Sequence, residues 1–111
     1  ILRIGKNNVK ITLDLGHLYL SSRFYNFSAI KSVLEIKELI NHVHIHDNCG
    51  RIESYFEKQQ TKLLPFGKGD SHMPIGWGEI PIKEILSTFI NSFNGILIME
   101  IKSRYNKYIE E

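Results

Sequence analysis

Three short β-like runs alternate with helical stretches, and each run ends at or beside a side chain that can bind a metal ion or carry a proton. Strand, helix, strand, helix, strand predicts parallel strands joined by right-handed crossovers, because a crossover helix is the short way to return a chain to the same end of a sheet. Val9 to Asp14 reads as the first strand, bounded by Gly5-Lys6-Asn7-Asn8 and Gly16. Ser28 to Ile40 reads as a helix, with Asn26 or Ser28 at its start and Ile30, Val33, Leu34, Ile36 and Ile40 near helical spacing. His42 to His46 is the second strand. Pro81 to Phe93 is a second helix, with Pro81 at its first position and Ile82, Ile85, Leu86, Phe89 and Ile90 in one stripe. Ile96 to Ile101 is the third strand, and a helical tail follows from Ser103. The connection from Asp47 to Ile80 is long, with a short helix expected within Arg51 to Lys62 and a glycine-rich loop after it. Loops of that length are usually functional or disordered.

Strand side chains alternate between faces. Val9, Ile11 and Leu13 oppose Lys10, Thr12 and Asp14; Val43 and Ile45 oppose His42, His44 and His46; Leu97, Met99 and Ile101 oppose Ile96, Ile98 and Glu100. Each strand thus has an apolar face for helices and carries Asp, His or Glu on the other, near its C-terminal end. A sheet with one wet face would solvate those residues. Crossover helices normally bury both faces of parallel strands, however, and ligands collect at their C-terminal ends.

Four short clusters could carry chemistry. Asp14-Leu15-Gly16-His17 follows the first strand; alone, such a pair is usually just a turn. His44-Ile45-His46-Asp47 sets two imidazoles on one strand face. A single strand histidine is more often structural than a ligand, but two at i, i+2 beside a carboxylate shift the balance. Asp70-Ser71-His72 lies in the loop before Pro74, Gly76 and Gly78, and its adjacency is not the geometry of a serine triad. Glu100 closes an apolar run and is costly to bury without a cation or several donors. Carboxylates and imidazoles without thiolates suit a divalent ion such as Zn, Mn, Mg or Co. His17, His46 or Asp47 could orient such ligands, and the lone Cys49 reads as inert. Trp77, between Gly76 and Gly78, offers a flat face for stacking or simply packs the loop, and Lys102 sits at the site's mouth or in solvent.

Composition narrows the partners. With 14 Lys plus Arg against 12 Asp plus Glu, the formal charge is +2 and the basic residues are scattered. That is too weak to argue for nucleic acid. One cysteine in 111 residues excludes a disulfide scaffold and suits a reducing, cytoplasmic setting. No apolar run of about 18 residues predicts a membrane span.

The four clusters, in order, resemble the xylose isomerase-like TIM-barrel superfamily, which includes sugar-phosphate isomerases and epimerases and apurinic (AP) endonucleases of family 2. The motifs are Thr12-Leu13-Asp14-Leu15-Gly16-His17, His44-Ile45-His46-Asp47-Asn48, Asp70-Ser71-His72-Met73-Pro74-Ile75-Gly76-Trp77-Gly78 and Ile98-Met99-Glu100-Ile101. The resemblance implies metal ligands at Asp14, His44 and Glu100. In the endonuclease branch, with its three-zinc site, His17, Asp70 and His72 would also bind metal. In the isomerase branch His17 would meet the sugar and Glu100 would be one of a pair of catalytic glutamates. The expected substrate is then a sugar or sugar phosphate. The endonuclease branch normally shows Cys-Leu-Asp-Thr-Cys-His and His-Leu-Asn-Asp-Ser-Lys-like runs, which this chain lacks; with the weak charge, this favours sugar over abasic DNA. A family barrel has eight strands in about 250 residues, and the motifs here match its last three. Residues 1–111 therefore read as one partial domain, a parallel βαβαβ segment of an α/β barrel. It would be completed by missing N-terminal strands or by a second copy, as a homodimer, with self-association as the fallback for an inactive piece.

Overall fold

The computed structural model describes residues 4–52 and 60–109. Three parallel strands, β1 (Ile11–Asp14), β2 (Ile40–Ile45) and β3 (Ile96–Met99), form a sheet in the order β1-β2-β3. Chain-order neighbours with parallel pairing form one arc of a barrel; a doubly wound sheet would reverse direction at a switch point. Asp14 pairs with His44 in register, and His44 pairs with Ile98. The amide of Glu100 then donates to the carbonyl of Ile45 at 3.0 Å, carrying the β2–β3 ladder one step past the strand.

The helices depart from the sequence reading. Leu15–Tyr25 is a helix, α1, where the sequence reading placed only a turn and a loop. Asp14 caps it, its carboxylate accepting from the amide of His17 at 2.8 Å, and Asn26 ends it in the left-handed conformation, φ 56°. Gly16, Ser21, Ser22 and the aromatic residues hid it, being weak helix formers. The next helix, α2 (Ala29–Ile36), is shorter than expected; Ser28 caps it, one 3₁₀ turn follows, and β2 already begins at Ile40. The third, α3 (Ile82–Ser87), also stops early, with a separate 3₁₀ turn at Ile90–Ser92. In the long connection residues 53–59, and most of the short helix expected there, lie outside the described residues; Gln60–Phe66 is 3₁₀. The tail from Ser103 is also 3₁₀.

The core gathers Leu13, Val43 and Ile45 from one sheet face with Val33, Ile82, Ile85 and Phe89 beneath the helices. Parity is thus right for β1 and β2. It fails for β3, whose expected packed face, Leu97 and Met99, is as open as the other: Ile96 is 59% exposed and Met99 57%. β3 packs extensively only on β2, so its far edge and both faces lack a covering layer among the described residues.

An uncovered parallel edge of four apolar residues associates. Light scattering across a concentration series should show the chain's mean mass rising, and Met99→Lys with Leu97→Lys should suppress that rise while leaving the far-ultraviolet spectrum unchanged.

Candidate metal centre

The β1–β2 register and the extended ladder of Glu100 collect the expected residues at the C-terminal ends of the strands. His44 Nδ1 lies 3.0 Å from Glu100 Oε1 and 3.9 Å from Asp14 Oδ2. The helix start puts His17 beside the same carboxylate, Nδ1 to Asp14 Oδ2 at 3.2 Å, and turns its Nε2 toward Asp70 Oδ2, also at 3.2 Å. His72 Nε2 approaches that Asp70 oxygen at 3.0 Å. All six sequence candidates, Asp14, His17, His44, Asp70, His72 and Glu100, therefore meet in one continuous cluster.

His46 belongs to it as well, more centrally than a merely orienting role suggested. It is fully buried, with Nε2 3.2 Å from Asp14 Oδ1, and its ring stacks on His72 at 3.7 Å and 9°. A Cβ on Gly16 would fall on the His46 ring, so only glycine lets α1 start so close to β2. By distance, two groups could each hold an ion: Asp14, His46 and Glu100, and His17, His46, Asp70 and His72. The stack limits the second. An imidazole lone pair lies in its ring plane, and two parallel planes 3.7 Å apart do not share one ion. His17, Asp70 and His72 therefore form the coherent second position, with His46 as the wall between the two.

The donor inventory fits divalent cations. His72 Nδ1 donates to the Glu100 carbonyl at 2.7 Å, so in a neutral ring Nε2 is a bare lone pair facing the Asp70 carboxylate. His17 has a carboxylate oxygen at each nitrogen; in a neutral ring one nitrogen donates to its carboxylate and the other is a bare lone pair. Inside the cluster His46 Nδ1 and Asp70 Oδ1 are buried without any hydrogen-bond partner, 3.9 Å apart. Lone pairs set against lone pairs call for a proton or a cation, and imidazole with carboxylate is the donor set that zinc, manganese or cobalt takes.

Asp14 shows the strength of the local field. Burial would raise its pKa, but the hydrogen bond from His46, the His17 amide and the two imidazoles reverse that and hold it at about 2, against an ordinary 3.8. The Cys49 thiol is pushed up by burial and by Glu79, in keeping with the inert reading.

The loop that brings in Asp70 and His72 is pinned by Asp47, 1% exposed. Its Oδ1 accepts from the amides of Asn48 at 2.9 Å and Ile80 at 3.2 Å, and its Oδ2 from Gly76 at 2.9 Å. The Asp47 and Met73 backbones exchange two further hydrogen bonds of 2.9 Å. Asn48, a residue given no role in the sequence reading, is fully buried and joins Gly16 O at 3.1 Å to the amide of Gly50 at 2.8 Å. Lys102 reaches the loop rather than solvent, Nζ to Asp70 O at 3.0 Å. His72 holds a left-handed φ of 46°, uncommon outside glycine and typical of functional sites. Trp77 is half-exposed and packs on Tyr105 and Tyr108, rings 5.6 and 5.1 Å away.

A parallel sheet in sequential order, with acid and imidazole at its C-terminal ends, defines a segment of an α/β barrel with a polar ligand site. The chain belongs to the xylose isomerase-like TIM barrel family, whose model matches residues 1–111. It is similar to a D-tagatose 3-epimerase-like protein of solved structure, with a TM-score of 0.61 and 26% identity over 87% of this chain and 30% of that one. It is 30% identical over 96 residues to an uncharacterised protein of Methanocaldococcus jannaschii, 86% of this chain and 29% of the relative. The chain thus spans less than a third of either protein.

Two outcomes follow. Asp14 titrates lower in the folded state than in the unfolded one, so its contribution, about 2 kcal/mol at most, is present above pH 3.8 and is lost as pH falls toward about 2. Urea melts of metal-free protein at pH 6 and pH 3 should show that loss, and Asp14→Asn should reduce it. Asp47→Ala strands the buried amides of Asn48 and Ile80 and frees the part-buried amide of Gly76, and should cost on the order of 3 kcal/mol in the same melts. It should also weaken metal binding through Asp70 and His72 more than binding through His44.

Proposed function

We propose that this chain is the metal-binding portion of a sugar isomerase or epimerase barrel. Asp14, His44 and Glu100 would hold one divalent cation, and His17, Asp70 and His72 a second position. One observation carries the reading: imidazole nitrogens and carboxylate oxygens converge at the C-terminal ends of parallel strands, with His46 Nδ1 and Asp70 Oδ1 buried among them without a partner. Family membership and the similarity to an epimerase-like protein support sugar chemistry.

A bound cation would act as a Lewis acid on adjacent substrate oxygens, making the carbon beside a carbonyl more acidic. The chain's own residues would do the rest. Glu100, whose side chain is 36% exposed, faces the cluster from the end of β3 and can take a proton from that carbon and return it. His17 is the most exposed imidazole of the cluster, and when the second position holds no ion its place over Asp14 and Asp70 suits it to hydrogen-bond a substrate hydroxyl. His46 fixes the Asp14 carboxylate so that the metal position keeps its shape. The family's second glutamate has no counterpart in the described cluster, so turnover would need the remaining strands, supplied by a longer chain or a second copy.

The second group, His17, Asp70 and His72, also supports an AP endonuclease reading, in which several zinc ions act together on abasic DNA. Metal content and substrate separate the two. Plasma mass spectrometry on tag-free protein should find at least one divalent ion per chain. His44→Ala should abolish the first binding event in a cobalt titration, His72→Ala should remove only the second, and His46→Asn should weaken the first about 10- to 100-fold. In the complete barrel, aldose–ketose interconversion or epimerisation supports the sugar reading. Cleavage of abasic DNA with no ketose turnover would replace it.

A further inference from the structure

Between the C-terminal part of α1 and the connection that follows β2 lies a cavity of about 400 Å³ lined, among the described residues, by Arg23, Phe24, Gly50, Arg51, Ile52 and Lys68. Among the described lining residues three are cationic and none is acidic, in a chain whose net charge is only +2. The convergence is built in by the backbone. Gly50 turns with φ +63°, and a Cβ there would meet the Tyr19 ring at 2.5 Å and the stem of Arg23 at 3.0 Å, so the turn lays Arg51 beside Arg23. The amide of Gly69 donates to the carbonyl of Arg51 at 2.8 Å, which brings the neighbouring Lys68 to the same wall.

The cavity's walls lead along the chain to the proposed ligands. Gly69 immediately precedes Asp70, and Arg23 lies six residues after His17 on α1, about 9 Å along its axis. Arg51 also meets Glu79, but at 3.4 Å between side chains 61% and 51% exposed. A pair so open to water is weak and yields to a stronger anion. Phe24 and Ile52, both about half-exposed, line part of the wall with apolar surface beside the guanidinium groups, whose fixed forks suit charge-assisted hydrogen bonds to an oxyanion.

We infer that this cavity binds a phosphate monoester dianion: the phosphate end of a sugar substrate whose carbonyl end reaches the His–Asp cluster. The inference rests on the sugar reading above for the substrate's far end, and on Arg23 and Arg51 for the phosphate.

Amide NMR of the chain tests it with ribose 5-phosphate, ribose and inorganic phosphate, each with zinc and with chelator. Ribose 5-phosphate is expected to move Gly50, Arg51 and Gly69, with inorganic phosphate moving the same amides more weakly and ribose leaving them in place. Arg23→Gln with Arg51→Gln should weaken ribose 5-phosphate by roughly tenfold or more, with zinc affinity and thermal midpoint unchanged. Shifts confined to His17 and His72 and abolished by chelator would put the phosphate on the metal and overturn the inference. So would an unaffected double variant, or a duplex oligonucleotide that displaces ribose 5-phosphate from these amides with higher affinity. Equal affinity for inorganic phosphate and ribose 5-phosphate would make the cavity a free-anion site and break its link to the substrate. If zinc fails to bind while phosphate still moves Gly50, the metal reading fails and the pocket stands.

Discussion

A single buried carboxylate, Asp47, holds together the parts of this protein that matter. It takes amides from Asn48, Gly76 and Ile80, three points of a loop that has no other regular structure there. A buried backbone N–H without a partner is expensive, so the loop has one low-energy course, and that course ends with Asp70 and His72 against His17. Asp14 plays the matching part at the other wall: it ends β1, caps α1 and orients His46. Two carboxylates, each in several roles, thus couple the secondary structure to the ligand geometry.

The cluster itself is electrostatically unfinished. Three carboxylates and four imidazoles lie within hydrogen-bonding reach of one another, yet His46 Nδ1 and Asp70 Oδ1 stay unsatisfied inside it. The stacked His46 and His72 rings bring two polarizable faces together and turn their lone pairs into separate planes. That arrangement favours two adjacent positions over one large one.

The sheet is unfinished in a different way. β1 and β2 have a covered apolar face, but β3 is open on both. A parallel strand buried on neither face conflicts with its own composition, Ile-Leu-Ile-Met. The conflict resolves if further strands continue the barrel, in line with a chain that spans less than a third of the proteins it resembles. Family membership is therefore a property of this segment, whereas the proposed turnover would need further strands.

Much was legible in the residues alone. Alternation placed Asp14, His44, His46 and Glu100 on one face, because strand geometry has a period of two whatever surrounds it. The order of the motifs fixed the family, and residue chemistry pointed to a divalent ion. Other features needed the tertiary structure. The helix α1 was hidden because its stability comes from its caps and from packing on β2, rather than from helix-forming residues. The burial of His46, its stack on His72 and the hold of Asp47 on a loop some 30 residues away depend on contacts between segments distant in sequence. The exposure of β3 depends on what is absent beside it. Local pattern determined which side chains could meet; only the packed chain decided which of them did, since burial, stacking and hydrogen-bond satisfaction are properties of pairs brought together in space.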